Sequence, residues 1–130
     1  MTISVTEPAH MNEAFARAFN TREIDNLLGL YEPEAVLLTD DSGASCLGHP
    51  AIASELAKLL EAPGVMTSRN NFCVVHGDFA LLRADWTLAA EDGSVVASGS
   101  SAEVVRRQPD GRWLYMIDHA AGAGLPRVGD

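Results

Sequence analysis

Three tripeptides, HGD at 76–78, EDG at 91–93 and PDG at 109–111, cut the second half of the chain into four strand-forming runs, near 66–76, 79–90, 94–107 and 112–120. Each tripeptide sets Gly beside Asp, the pairing that supplies the backbone freedom of a tight reversal. Connections this short let each strand pair only antiparallel with the next, because parallel neighbours need a crossover of about a dozen residues. The second half of the chain is therefore an antiparallel meander of four long strands.

The first half reads differently. Thr6 is placed to cap a first helix, with Pro8 in its opening turn. Met11, Phe15 and Phe19 follow at intervals of four, with Ala14 and Ala18 beside them, as one apolar stripe. Thr21 offers a second cap ahead of Ile24, Leu27, Leu28 and Tyr31, spaced i, i+3, i+4 and i+7, and Pro33 stops that helix. Val36 to Thr39 reads as a short strand, Asp40 to Gly43 as a turn and Ala44 to Leu47 as the returning strand. Gly48 and Pro50 open a third helix with Ile52, Leu56, Leu59 and Leu60 on its apolar face, and Ala-Pro-Gly at 62–64 ends it. Three N-terminal helices against a sheet make the fold class α+β. The 130 residues are expected to form one domain, 1–130, with a small polar tail at 121–130 that frays.

Charge narrows the partners. Eighteen acidic residues against nine basic ones give a net charge of -9, which repels phosphate backbones and anionic lipid, so neither nucleic acid nor membrane is expected as a partner. No apolar run approaches the ~20 residues of a membrane helix, and the N-terminus lacks the basic and apolar regions of a signal peptide. Cys46 and Cys73 show no metal or redox spacing and read as reduced thiols in a cytoplasmic protein.

The order helix, helix, LYEPEAVLL (30–38), hairpin, GHPAI (48–52), then long strands closing on DGRWLYMIDHA (110–120), resembles the nuclear transport factor 2-like superfamily. Within it the chain is most similar to SnoaL-like bacterial proteins, over residues 9–120. The resemblance implies a cone: a curved antiparallel sheet of about four long strands plus a short hairpin, wrapped on the helices around an interior apolar pocket. It also implies a homodimer joined through the outer sheet face; separately, the chain has no GxSxG, GxGxxG or Walker motif, so no cofactor is expected. Its members include ketosteroid isomerases, polyketide cyclases, dehydratases, epoxide hydrolases and non-catalytic association modules, so fold alone does not select a function.

Set against the isomerase pattern, the oxyanion-binding tyrosine of the first helix falls near Phe15, which has no donor. The general base of the first strand falls at Thr39, with Asp40 one residue along on the opposite face. The second acid falls at or next to Glu103, which is either a cavity carboxyl kept neutral by desolvation or a solvated carboxylate on a strand edge. Asp118 and His119 are adjacent, so regular strand geometry points them to opposite faces unless a bulge intervenes. The isomerase-like register puts Leu114, Met116 and Asp118 inside, leaving Trp113, Tyr115, Ile117 and His119 for the interface. The opposite register makes His119 the pocket residue, an imidazole suited to proton transfer. Glu103, Asp118 and His119 are thus the candidate catalytic groups. Phe15, Trp86, Met116 and Tyr31, the last as a polar handle at the cavity mouth, are the candidate binding residues.

Trp86 lies on the apolar face Leu82, Ala84, Trp86, Leu88, and its indole N–H requires an acceptor. The four histidines, at 10, 49, 76 and 119, have no metal-ligand spacing, and no metal site is expected. Two functions compete. One is a pocket for a small, largely apolar molecule, with or without cofactor-independent acid–base catalysis; the other is a dimeric association or ligand-sensing module. A cavity of ~300 Å3 or more, with one of the three candidate groups aimed into it, favours the first.

Overall fold

The four long strands set off by the turn signals form the body of the sheet in a computed structural model that describes residues 3–39, 44–126 and 128–129. They are β3 (Val65–His76), β4 (Phe79–Ala89), β5 (Val95–Arg107) and β6 (Trp113–His119), preceded by β1 (Tyr31–Leu38) and β2 (Cys46–Leu47). The glycines of the three turns, Gly77, Gly93 and Gly111, all have positive φ, the conformation that a residue without a Cβ adopts freely. The six strands lie in the order β2-β1-β6-β5-β4-β3, and the class is α+β as expected. All neighbours pair antiparallel except β1 and β6, which are parallel. The helices α1 (Met11–Asn20), α2 (Ile24–Leu28) and α3 (Gly48–Leu59) lie against one face, α1 on β3 and α3 on β1.

Curvature comes from extra residues. Asn71 in β3, Val96 in β5 and Met116 in β6 each stand without a partner at a register shift, and such bulges bend a strand and increase its twist. The sheet so bent encloses Met11, Phe19, Ile52 and Leu56 from the helices against Leu82, Leu88 and Val105 from its inner face, all of them buried.

Four local expectations change, the cap of α2 among them, which is Glu23 rather than Thr21. Thr6 does not cap the first helix: the cap of the opening 3-10 turn Pro8–His10 is Glu7, without a side-chain bond. The second helix stops at Leu28, and Tyr31 is the first residue of β1 rather than the end of that helix. The chain bends at Gly29, the carbonyl of Leu30 accepts the backbone N–H of Tyr115, and the tyrosine is drawn into the sheet. Pro33 sits inside β1 instead of ending a helix. It falls where the β1–β6 register slips, between Tyr31 and Val36, so its missing N–H interrupts no ladder bond. Thr21 works between the helices, donating to the carbonyl of Ala18 and accepting from the backbone N–H of Glu23.

The turn expected at Asp40 to Gly43 lies outside the described residues. In the segment expected to fray, Gly122–Gly124 form a 3-10 turn lying on β5. Among the described residues no helix is long and apolar enough to cross a membrane.

Trp86 and Gly99 face each other on β4 and β5, and the indole lies flat over the glycine. A Cβ at position 99 would stand 2.8 Å from Cζ2 of the ring, closer than atoms tolerate. Gly99→Ala is expected to lower stability by ~1–3 kcal/mol, the ordinary penalty of overpacking, in urea unfolding. In a Trp86→Ala background the same change is expected to cost less than about 0.5 kcal/mol, because the clashing ring is gone.

Candidate functional site

Between α1, α3 and the inner face of the sheet lies a cavity of about 230 Å3. It falls short of the ~300 Å3 expected of a drug-sized site. A dry cavity of about 150 Å3 accepts benzene, so this one has room for a single substituted ring. Phe15, Leu56, Leu59, Met66 and Trp86 give it apolar walls; Asn12, Tyr31, Ser101, Glu103, Tyr115 and Asp118 form a polar floor where β5, β6 and β1 meet α1, and Thr39, Glu55 and Ser68 line it elsewhere.

Met116 makes that floor possible. Tyr115 and Asp118 are three residues apart and would face opposite ways on a regular strand. Across the bulge, Tyr115 pairs with Val105 and Ile117 with Val104, so Met116 is the extra residue and the alternation resets. Both Tyr115 and Asp118 therefore line the cavity. This corrects the expected inner set Leu114, Met116 and Asp118: Met116 is the bulge itself and does not line the cavity, while Tyr115 does. His119 falls on the other face, where its Nδ1 accepts the backbone N–H of Ala121 at 3.3 Å and its ring packs over Gly122. Asp118 and His119 are not a pair.

Asp118 instead faces Glu103, its direct partner across β5 and β6. Both are buried, with 2% of Glu103 and 7% of Asp118 exposed. The Tyr31 hydroxyl donates to Asp118 Oδ2 at 2.5 Å, and Asn12 Nδ2 donates to Glu103 Oε2 at 2.6 Å. The same Asn12 amide reaches Ser101 Oγ at 3.3 Å. The other Glu103 oxygen, Oε1, is buried and makes no hydrogen bond.

Desolvation raises the Glu103 pKa to about 8, with the charge of Asp118 adding to the rise and the bonds from Ser101 and Asn12 opposing it. Desolvation also raises Asp118, to about 6, less far because Tyr31 and Glu103 bond to its ionised form. Two facing carboxyls so deeply buried cannot both ionise readily, so near neutral pH the pair holds one proton, mainly on Glu103. Burial pushes the phenols of Tyr31 and Tyr115 well above their ordinary range, with Asp118 contributing. They remain neutral donors. The arrangement offers one carboxylate fixed by a phenol, one carboxylic acid with a free oxygen, and apolar walls.

Phe15, Tyr31 and Trp86 all line the cavity, as does Thr39. The Trp86 indole N–H finds its acceptor in the carbonyl of Ala120, at 2.8 Å. Tyr31 stands at the floor rather than the mouth, its ring 4.9 Å from that of Tyr115. Sequence reasoning missed Asn12, Ser101 and Tyr115. Asn12 had a legible signal: it is the polar member of a helical face shared with Phe15, Ala16 and Phe19, and it is buried. Ser101 had one too, standing two residues before Glu103 and so on the same face of β5.

A family model, that of the SnoaL-like domain, matches residues 12–116. Solved structures share the fold. One, from Thiobacillus denitrificans and named for a calcium/calmodulin-dependent protein kinase type II association domain, is 19% identical with a TM-score of 0.75, over 91% of this chain and 96% of that one. Another, an NTF-2 like protein of unknown function from Shewanella oneidensis, is 17% identical with a TM-score of 0.71, over 86% and 93%. A third, a ketosteroid isomerase-like protein from Erwinia carotovora, is 21% identical with a TM-score of 0.65, over 84% and 88%. No curated protein matches the chain. At these identities the likeness is one of fold.

The carboxyl pair also makes stability depend on pH. The folded state holds the Glu103 proton up to about pH 8, whereas the unfolded chain releases it at the ordinary carboxyl value of 4.5. Between those values the folded state binds more protons, so stability falls as pH rises. Urea unfolding at several pH values is expected to lose a few kcal/mol across this window, because each tenfold difference in proton affinity is worth ~1.4 kcal/mol. Glu103→Gln, which mimics the protonated acid, is expected to remove most of the fall above about pH 6. It should be more stable than the parent above pH 8, where the parent carries both charges.

Proposed function

The chain belongs to the SnoaL-like domain family, and we propose that it binds one small, largely apolar molecule in the interior cavity and can move a proton on it. The observation that carries this reading is the carboxyl pair at the cavity floor, two buried acids of unequal proton affinity at the closed end of an apolar chamber. Structural carboxylates are ordinarily paired with cations or backbone donors, and perturbed ones in a cavity mark functional sites. Asp118, ionised and oriented by Tyr31, is the proton acceptor; Glu103, protonated with Oε1 free, is the donor. Asn12 positions Glu103, and the walls hold water away. His119 has no part in this chemistry, since it lies on the other face of β6.

The outer face of the sheet supports a second, compatible proposal, that two copies pair there. Val74, Phe79, Leu81 and Ile117 are 57%, 44%, 49% and 44% exposed and adjoin one another across β3 to β6. So much apolar surface on one face marks an interaction site. The free thiols Cys46 and Cys73 fit a reducing, cytoplasmic setting.

Two measurements test these readings. Millimolar cyclohexanol added to isotopically labelled protein should shift the NMR signals of Phe15, Leu56, Met66 and the Trp86 indole, and Leu56→Trp, which fills the chamber, should abolish the shifts. Unmoved signals would leave an association module with a closed core. In sedimentation the parent should run as a dimer and Leu81→Asp as a monomer; a monomeric parent would remove the pairing proposal and leave the pocket untouched.

A further inference from the structure

Resting on the pocket reading above, we infer that the molecule it takes is a small apolar amine in its protonated form, with the ammonium seated at Glu103 and Asp118 and the hydrocarbon body against Phe15, Leu56 and Trp86. The charges around the cavity carry this. Glu103, Asp118 and, nearer the rim, Glu55 line it, while no Lys, Arg or His among the described residues does. An anionic ligand would meet the Glu103–Asp118 pair with no counter-charge in so deeply buried a site, where like charges repel strongly. A monocation meets the opposite. Near neutral pH the free Glu103–Asp118 pair carries one negative charge, and an ammonium seated there favours loss of the remaining proton.

Geometry adds acceptors and aromatic faces. Glu103 Oε1 is buried without a hydrogen-bond partner, so an ammonium N–H that reaches it displaces no protein donor. Phe15, Tyr31, Trp86 and Tyr115 stand around the same chamber, and aromatic rings attract a desolvated cation through their faces. The groups facing the carboxyl pair are Asn12 from α1, Tyr31 from β1, Ser101 from β5, Tyr115 from β6 and, across the chamber, Glu55 from α3. All are neutral except Glu55, which Lys58, exposed on the same helix, pairs at 3.5 Å, so the cationic preference rests on the Glu103–Asp118 pair. A seated ammonium stabilises the ionised form of Glu103, so binding should release a proton and tighten as pH rises.

Isothermal titration calorimetry with four probes of similar size tests this: cyclohexylmethylamine, cyclohexylmethanol, cyclohexyl methyl ketone and cyclohexanecarboxylate. The amine stays charged throughout, as alkylammonium groups titrate near 10.4. At pH 8 it should bind at least about tenfold more tightly than the alcohol or ketone, a difference of ~1.4 kcal/mol, and the carboxylate should not bind. Its affinity should rise several-fold from pH 6 to 8, and buffers of different ionisation enthalpy should reveal a released proton. Glu103→Gln should keep the preference for the amine and lose the proton release. Alcohol or ketone binding as tightly as the amine would overturn the inference and leave the pocket reading standing. If none of the four binds, both fall.

Discussion

Two carboxyl groups facing each other on paired strands, both out of water, are unfavourable unless a proton is shared between them and their remaining oxygens are bonded. The inner face meets that condition except at Glu103 Oε1. Tyr31 reaches Asp118 from the start of β1, Asn12 reaches Glu103 from α1, and Ser101 shares the Asn12 amide from β5. One helix and three strands therefore converge on the two carboxyls. Glu103 Oε1 is buried at the floor without a hydrogen-bond partner.

The pleat of the sheet would forbid this convergence if β6 were regular. Its bulge at Met116 turns Tyr115 and Asp118 to the same side, and the slip between β1 and β6 lets Tyr31 lie opposite Tyr115 while Leu37 lies opposite Asp118. The residues that bend the sheet thus also set its chemistry: curvature makes the chamber, and one of the bulges that produce it aims the acid. The Gly99–Trp86 contact serves the same end by letting a large ring lie flat on the sheet, where it forms a wall and anchors the carbonyl of Ala120.

Much of this is legible in the sequence. Turn tripeptides mark the long strands within a residue or two, the Gly48–Pro50 step opens α3, and the period-two pattern of β4 puts Leu82, Ala84 and Leu88 inside. Glu103 is readable because a carboxyl between small and apolar residues on a long strand is unusual. What stays hidden depends on partners distant in sequence. Ile24, Leu27, Leu28 and Tyr31 have helical spacing, but the Leu30–Tyr115 backbone bond captures the last of them for the sheet. The facing of Asp118 depends on an insertion relative to β5, and a bulge has no composition of its own at Met116. The fold is written in local patterns, and the site in register.

Glu103 and Asp118 sharing one proton in a water-poor cavity, with Glu103 the weaker acid, is the claim on which the rest turns. The most direct measurement is a carboxyl-carbon NMR titration of the free protein, following Glu103 and Asp118 from acid to mildly alkaline pH. The expected result is two coupled transitions displaced upward, toward about 8 for Glu103 and about 6 for Asp118, each group sensing the other. Independent transitions at the ordinary carboxyl values of 4.5 and 3.8 would contradict it, because they would mean a hydrated floor with no shared proton.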